Sequence, residues 1–108
     1  TYGSDVTQTP TLWKNVGDNA TIDCSHTKGT GYSQMYWYRQ LQGEGMKQIV
    51  LSPTYGKPEY EPNSKIEKFP VTKPDAASGT LTVKDLVAED KALYFCAVSQ
   101  PHSDTVNL

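Results

Sequence analysis

Asn19-Ala20-Thr21-Ile22-Asp23-Cys24 alternates polar and apolar side chains without a break. Period two marks an extended strand with one packed and one wet face, because successive side chains point to opposite sides. Before it, Val16-Gly17-Asp18 reads as a tight turn returning an N-terminal strand around Val6 to Leu12. Pro10 cannot donate to a ladder, so it marks an edge or a kink in that strand. Further along, Met35 to Gln40 is a strand dense in aromatics, and Gln42-Gly43-Glu44-Gly45 turns the chain into Met46 to Leu51. Ser52 to Pro58, with two prolines and a glycine, reads as a loop. Ile66 to Val71 and Thr80 to Val83 flank a turn over Pro74 to Gly79, and Leu93 to Val98 is the last clear strand. Eight glycines and seven prolines in 108 residues leave no room for long helices. The expected architecture is all-β, an antiparallel two-sheet sandwich.

A chain of 108 residues holds one domain, residues 1–108, with one core. Ten Lys+Arg against twelve Asp+Glu give a net charge of −2, which offers nothing to nucleic acid or an anionic surface. No apolar run approaches the roughly 18–20 residues of a membrane span, so no direct membrane contact is expected in this segment.

Cys24 and Cys96 stand far apart, with no Cys-x-x-Cys and no clustered histidines to complete a metal site. A catalytic cysteine needs a histidine that lowers its pKa. His26 is near Cys24, but both point to the strand face where apolar neighbours dominate. A disulfide remains, closing a loop of roughly 73 residues and contributing about 4.4 kcal/mol in the loop-entropy picture. Two free buried thiols are the alternative. The disulfide implies an oxidising compartment. It also turns Ala20, Ile22 and Tyr94 inward, with Trp37, Leu81 and Val83 filling the space around it. Asp85, Glu89 and Asp90 read as turn and salt-bridge residues rather than an acid/base pair, so no enzyme, cofactor or catalytic residue is expected.

Cys24, Trp37 thirteen positions on, and Asp90-Lys91-Ala92-Leu93-Tyr94-Phe95-Cys96 together resemble the framework of immunoglobulin variable domains. That resemblance implies a V-type sandwich, a tyrosine corner at Tyr94 and a salt bridge from Asp90 to Lys68, with Lys65 as the alternative cation. Asp5-Val6-Thr7-Gln8-Thr9-Pro10, Met35-Tyr36-Trp37-Tyr38-Arg39-Gln40 and Cys96-Ala97-Val98-Ser99 resemble a T-cell receptor beta-chain variable domain over about residues 5–99. The chain departs from the family pattern after its third loop: no Phe-Gly-x-Gly follows, so an incomplete last strand is expected. A germline-encoded V-set ectodomain, of an innate immune-type receptor or a T-cell co-receptor, is the alternative.

Two binding surfaces follow. Alternation puts Tyr38, Gln40 and Phe95, with Met46, on an outer sheet face more apolar than a solvated face needs. The family position of Gln40 implies a partner-domain interface there, for an alpha-type variable domain or a self-dimer. Three loops cluster at one end: Thr27 to Ser33, Ser52 to Pro58 and Ser99 to Asp104. Lys28, Thr30, Tyr32, Thr54, Tyr55, Lys57, Gln100 and His102 are their candidate ligand contacts, rich in the tyrosine and small polar residues that suit a paratope. The resemblance implies a peptide–histocompatibility complex as ligand and an extracellular place on a plasma-membrane receptor. Asn19-Ala20-Thr21 is a glycosylation sequon with Asn19 outward.

Overall fold

The computed structural model describes residues 6–8, 14–29, 31–54 and 56–99. Among the described residues, eight strands form two antiparallel sheets: β1 (Val6–Gln8), β2 (Ala20–His26), β3 (Gln34–Leu41), β4 (Met46–Pro53), β5 (Glu59–Tyr60), β6 (Val71–Thr72), β7 (Ser78–Val83) and β8 (Ala92–Ser99). One sheet runs β1-β2-β7-β6 and the other β5-β4-β3-β8. A 3₁₀ turn over Ala88–Asp90 leads into β8. This is the all-β sandwich that the alternation predicts.

Strand β2 follows its sequence pattern residue by residue: Ala20, Ile22, Cys24 and His26 are buried, and Thr21, Asp23 and Ser25 are exposed. Cys24 and Cys96 are joined by a disulfide across the two sheets. Trp37 lies directly opposite Cys96 in the β3–β8 ladder and is fully buried. Leu81 and Val83 close the core from β7. Gly79 is closely packed: a Cβ there would come within 2.7 Å of Met35 Sδ, reaching over from the opposite sheet, and 3.0 Å of the Thr72 carbonyl oxygen. Burying each large apolar side chain contributes roughly 1.5–3 kcal/mol, so this cluster carries much of the stability.

Several expectations are corrected. Ile66 to Val71 is not a strand. The amides of Lys68 and Phe69 both bond to the Lys65 carbonyl, which coils the segment, exposes Ile66 and sends Phe69 into the core. Only Val71–Thr72 joins the sheet. The second loop begins later than expected, since Ser52 and Pro53 extend β4 opposite Met35 and Gln34. Part of the core was also unforeseen: Met35, Ile49, Val50 and Phe69. Ile49 and Val50 are consecutive yet both buried, which strict alternation forbids. A bulge opposite Trp37 and Tyr38 shifts the register and turns both inward. Tyr94 and Cys96 point inward but are only partly buried. The N-terminal strand is described over Val6–Gln8, and Pro10 and Leu12 lie outside the described residues.

Candidate functional site

Two ladders that share β3 set the geometry of the loop end. Gln34 is opposite Pro53 on one side and Ser99 on the other, so the start of β3 and the ends of β4 and β8 meet at one level. The strand ends from which the three loops start therefore lie side by side. Hydrogen bonds tie their bases together: Thr54 donates from its amide (2.9 Å) and its hydroxyl (2.8 Å) to the Ser33 carbonyl. The Ser99 hydroxyl meets the Tyr36 hydroxyl at 3.1 Å, and Tyr36 donates to Gln34 Oε1. Lys28 Nζ stands 5.0 Å above the Tyr32 ring, a cation–π contact within the first loop. Lys57 is exposed on the second loop. Thr30, Tyr55, Gln100 and His102 lie outside the described residues.

The β6–β7 turn, residues 73–77, sits at the same end, because the His26 amide donates to the Ala77 carbonyl. Sequence reasoning identified the turn but had no means of placing it beside the first loop. Asp75 closes it by accepting from the Ala77 and Ser78 amides and the Ser78 hydroxyl. Those bonds, the Ala77 amide first and the Ser78 hydroxyl next, hold the Asp75 carboxyl below its ordinary range. Burial lowers the pKa of Lys73, which donates to the Asp75 and Ala76 carbonyls.

The outer face of the β5-β4-β3-β8 sheet is a grid, because residues directly opposite one another share a face. Its rows read Met46–Gln40–Leu93, then Gln48–Tyr38–Phe95, then Leu51–Tyr36–Ala97. The rings of Tyr36 and Tyr38 stack at 6.4 Å. Burial, with Tyr36 and Glu61 nearby, raises the Tyr38 pKa. Gln40 donates its side-chain amide to the Glu44 carbonyl at 3.0 Å. Leu93, 61% exposed, extends the apolar strip beyond the four residues expected; its outward parity beside Tyr94 already marked it.

At the opposite end, Asp90 is buried between two cations. Lys68 Nζ lies 2.6 Å from Asp90 Oδ2 and Arg39 lies 3.8 Å from Oδ1, whereas Lys65 contributes only its carbonyl. Lys68 also donates to the Lys84 and Asp85 carbonyls, and Arg39 covers the Phe69 ring at 5.3 Å. The Tyr94 hydroxyl donates to the Asp90 carbonyl at 2.8 Å, the bond of a tyrosine corner, and burial raises its pKa. Arg39 escaped the sequence reading because an inward arginine has no place in an apolar pattern until its carboxylate is located. Asn19 is exposed at this end, its Oδ1 accepting from the Asp85 amide at 3.0 Å.

Among the described residues, no group of three or more His, Cys, Asp or Glu side chains gathers to hold a metal ion, and no helix is long and apolar enough to cross a membrane.

Known proteins match along most of the chain. The family model for the immunoglobulin V-set domain matches residues 7–107. The chain is 33% identical to human T cell receptor beta variable 29-1, over 76% of this chain and 72% of that protein. It is 32% identical to human T cell receptor beta variable 2, over 89% of this chain and 82% of that protein. In fold it is similar to a chain from a solved structure described as the structural basis of T cell specificity and activation by the bacterial superantigen toxic shock syndrome toxin-1. That match has a TM-score of 0.85 and 23% identity, and it covers 98% of this chain and 90% of the other.

Proposed function

Because this chain belongs to the immunoglobulin V-set family, and within it to the T cell receptor beta variable domains, we propose that it recognises peptide–histocompatibility complexes with its end loops while pairing through its outer sheet face. The observation that carries this reading is the separation of the two surfaces. Gln34 stands opposite Pro53 and Ser99, so the strand ends that carry the loops share one end of the sandwich. The rows through Gln40 and Tyr38 lie along the sheet, away from those loops, so both surfaces can be occupied together. An alpha-type variable domain is the partner this strip suits: its apolar area asks for cover, and Gln40 offers a central hydrogen-bonding group. A self-dimer through the same strip is the competing assembly. A germline-encoded V-set ectodomain is not favoured, since the relatives are T cell receptor beta variable chains.

The domain works outside the cell, where its disulfide persists, as the ectodomain of a plasma-membrane receptor. Asn19 is a glycan acceptor whose Nδ2 takes the sugar while Oδ1 keeps its bond to Asp85. The glycan then projects from the end away from the loops.

Co-expression with an alpha-type variable chain tests the pairing: sedimentation should give a one-to-one heterodimer. The heterodimer should then bind a panel of peptide–histocompatibility complexes, and Tyr32→Ala or Lys28→Ala should weaken that binding without dissociating the pair. If both variants leave every complex bound as before, the assignment of the end loops to ligand is wrong. Release of a glycan mass by an amidase, lost in Asn19→Gln, tests the sequon.

A further inference from the structure

His26 ends β2 on the core side of its strand and is only 6% exposed. Its two ring nitrogens have partners of opposite kind. Nε2 lies 2.6 Å from the Ala76 carbonyl oxygen, which can only accept, so Nε2 carries the hydrogen. Nδ1 lies 3.2 Å from the Lys28 amide nitrogen, which can only donate, so Nδ1 keeps its lone pair. Both nitrogens of a neutral imidazole are thereby committed. The edge of the ring meets Tyr32 at 6.4 Å between centroids. The Ala76 carbonyl belongs to a turn that is built independently by the bonds of Asp75 and Lys73.

We propose that His26 is a positioning residue, a strut that sets the first end loop at Lys28 and Tyr32 against the β6–β7 turn and transmits the shape of that turn to them. The proposal rests on the reading of the end loops as the ligand surface and assigns the control of their shape. An apolar side chain of similar size would fill the same space. What it lacks is the donor for Ala76, whose carbonyl would keep the bond from Lys73, and the acceptor for the Lys28 amide. Sequence changes at residues 73–77 thus reach recognition through the strut, without themselves touching ligand.

The test needs no ligand, so its outcome is independent of the titrations above. In the isotope-labelled chain, Asp75→Ala loosens the turn. Exchange of the Lys28 amide should then rise about two- to tenfold, the equivalent of one hydrogen bond. In a His26→Leu background, Asp75→Ala should leave that amide unchanged. In His26→Gln, whose side-chain amide again donates and accepts, the response should return. An equal response in the native and His26→Leu backgrounds overturns the proposal. Should His26→Leu not fold, nitrogen spectra of the imidazole decide: a proton on Nε2 with Nδ1 accepting supports the strut, and a proton on Nδ1 overturns it.

Discussion

The two sheets follow one rule of alternation and turn opposite characters outward. On β1-β2-β7-β6 the outer rows are hydroxyls that bond one another, Thr21 with Thr82 at 3.1 Å and Thr72 with Thr80 at 2.7 Å. Asp23 stands opposite Thr80, and Ser25 opposite Ser78. On β5-β4-β3-β8 the corresponding rows carry Tyr36, Tyr38, Phe95, Leu93 and Met46 around Gln40. Short hydroxyls satisfy themselves and water alike. Exposed aromatic and aliphatic area is not repaid by solvent, so the second face is the one suited to another protein. The core between them is shared, and only the outward parity distinguishes the hydroxyl-lined face from the apolar one.

The sharpest way to break this contrast is to charge the apolar face. Gln40→Glu on both members of a pair sets like charges together in a desolvated contact, at a cost on the order of several kcal/mol. Sedimentation should show association abolished and the monomer still folded. A Glu placed at Thr82 on the other face should leave assembly unchanged; if it dissociates the pair, the faces are assigned the wrong way round.

The disulfide is the covalent link between the contrasting sheets. Replacing Cys24 and Cys96 together by Ala should lower unfolding stability by about 2–5 kcal/mol in denaturant titrations. Both faces should lose order in one transition, and two separate transitions would mean that the sheets are independent.

Asp90 tests the end away from the loops. Asp90→Ala removes the partner of Lys68 and Arg39 and the cap on the Val87 amide, and should destabilise by about 1.5–3 kcal/mol. A double-mutant cycle with Lys68→Ala measures the coupling, and a value near zero would leave Arg39 as the working cation.

The smallest effect is an acid one. The Asp75 carboxyl is held below its ordinary value, so its contribution is present above the unfolded value of about 3.9 and is lost as pH falls through the lower folded value. Protection of the Ala77 and Ser78 amides should fade only below about pH 4, with the Tyr94 corner unaffected. Loss of that protection near neutrality would contradict the cap.

Much of this organisation was legible from the chain. Ala20 to Cys24, Met35 to Gln40 and Leu93 to Val98 declare their faces because a strand with one dry side must alternate. The two cysteines and Trp37 mark the centre for the same reason. The outer strip of Tyr38, Gln40 and Phe95 is the complement of that core and needs no further information. Ile66 to Val71 deceived because local β-branched content says nothing about where a carbonyl such as that of Lys65 finds its donors.

What the sequence by itself determined was therefore parity: which side chains share a face, and hence the core, the bridge and the strip. Parity is a local property of extended backbone, carried by a few neighbouring residues. Tertiary structure alone decided that the β6–β7 turn sits beside the first loop, why Ile49 joins Val50 in the core, and how Asp90 and His26 become buried polar groups with partners. Those depend on register between strands distant in sequence and on carbonyls belonging to other turns. The bonds of His26 to Ala76 and of Lys68 to Asp90 span 50 and 22 residues, and no local pattern encodes them.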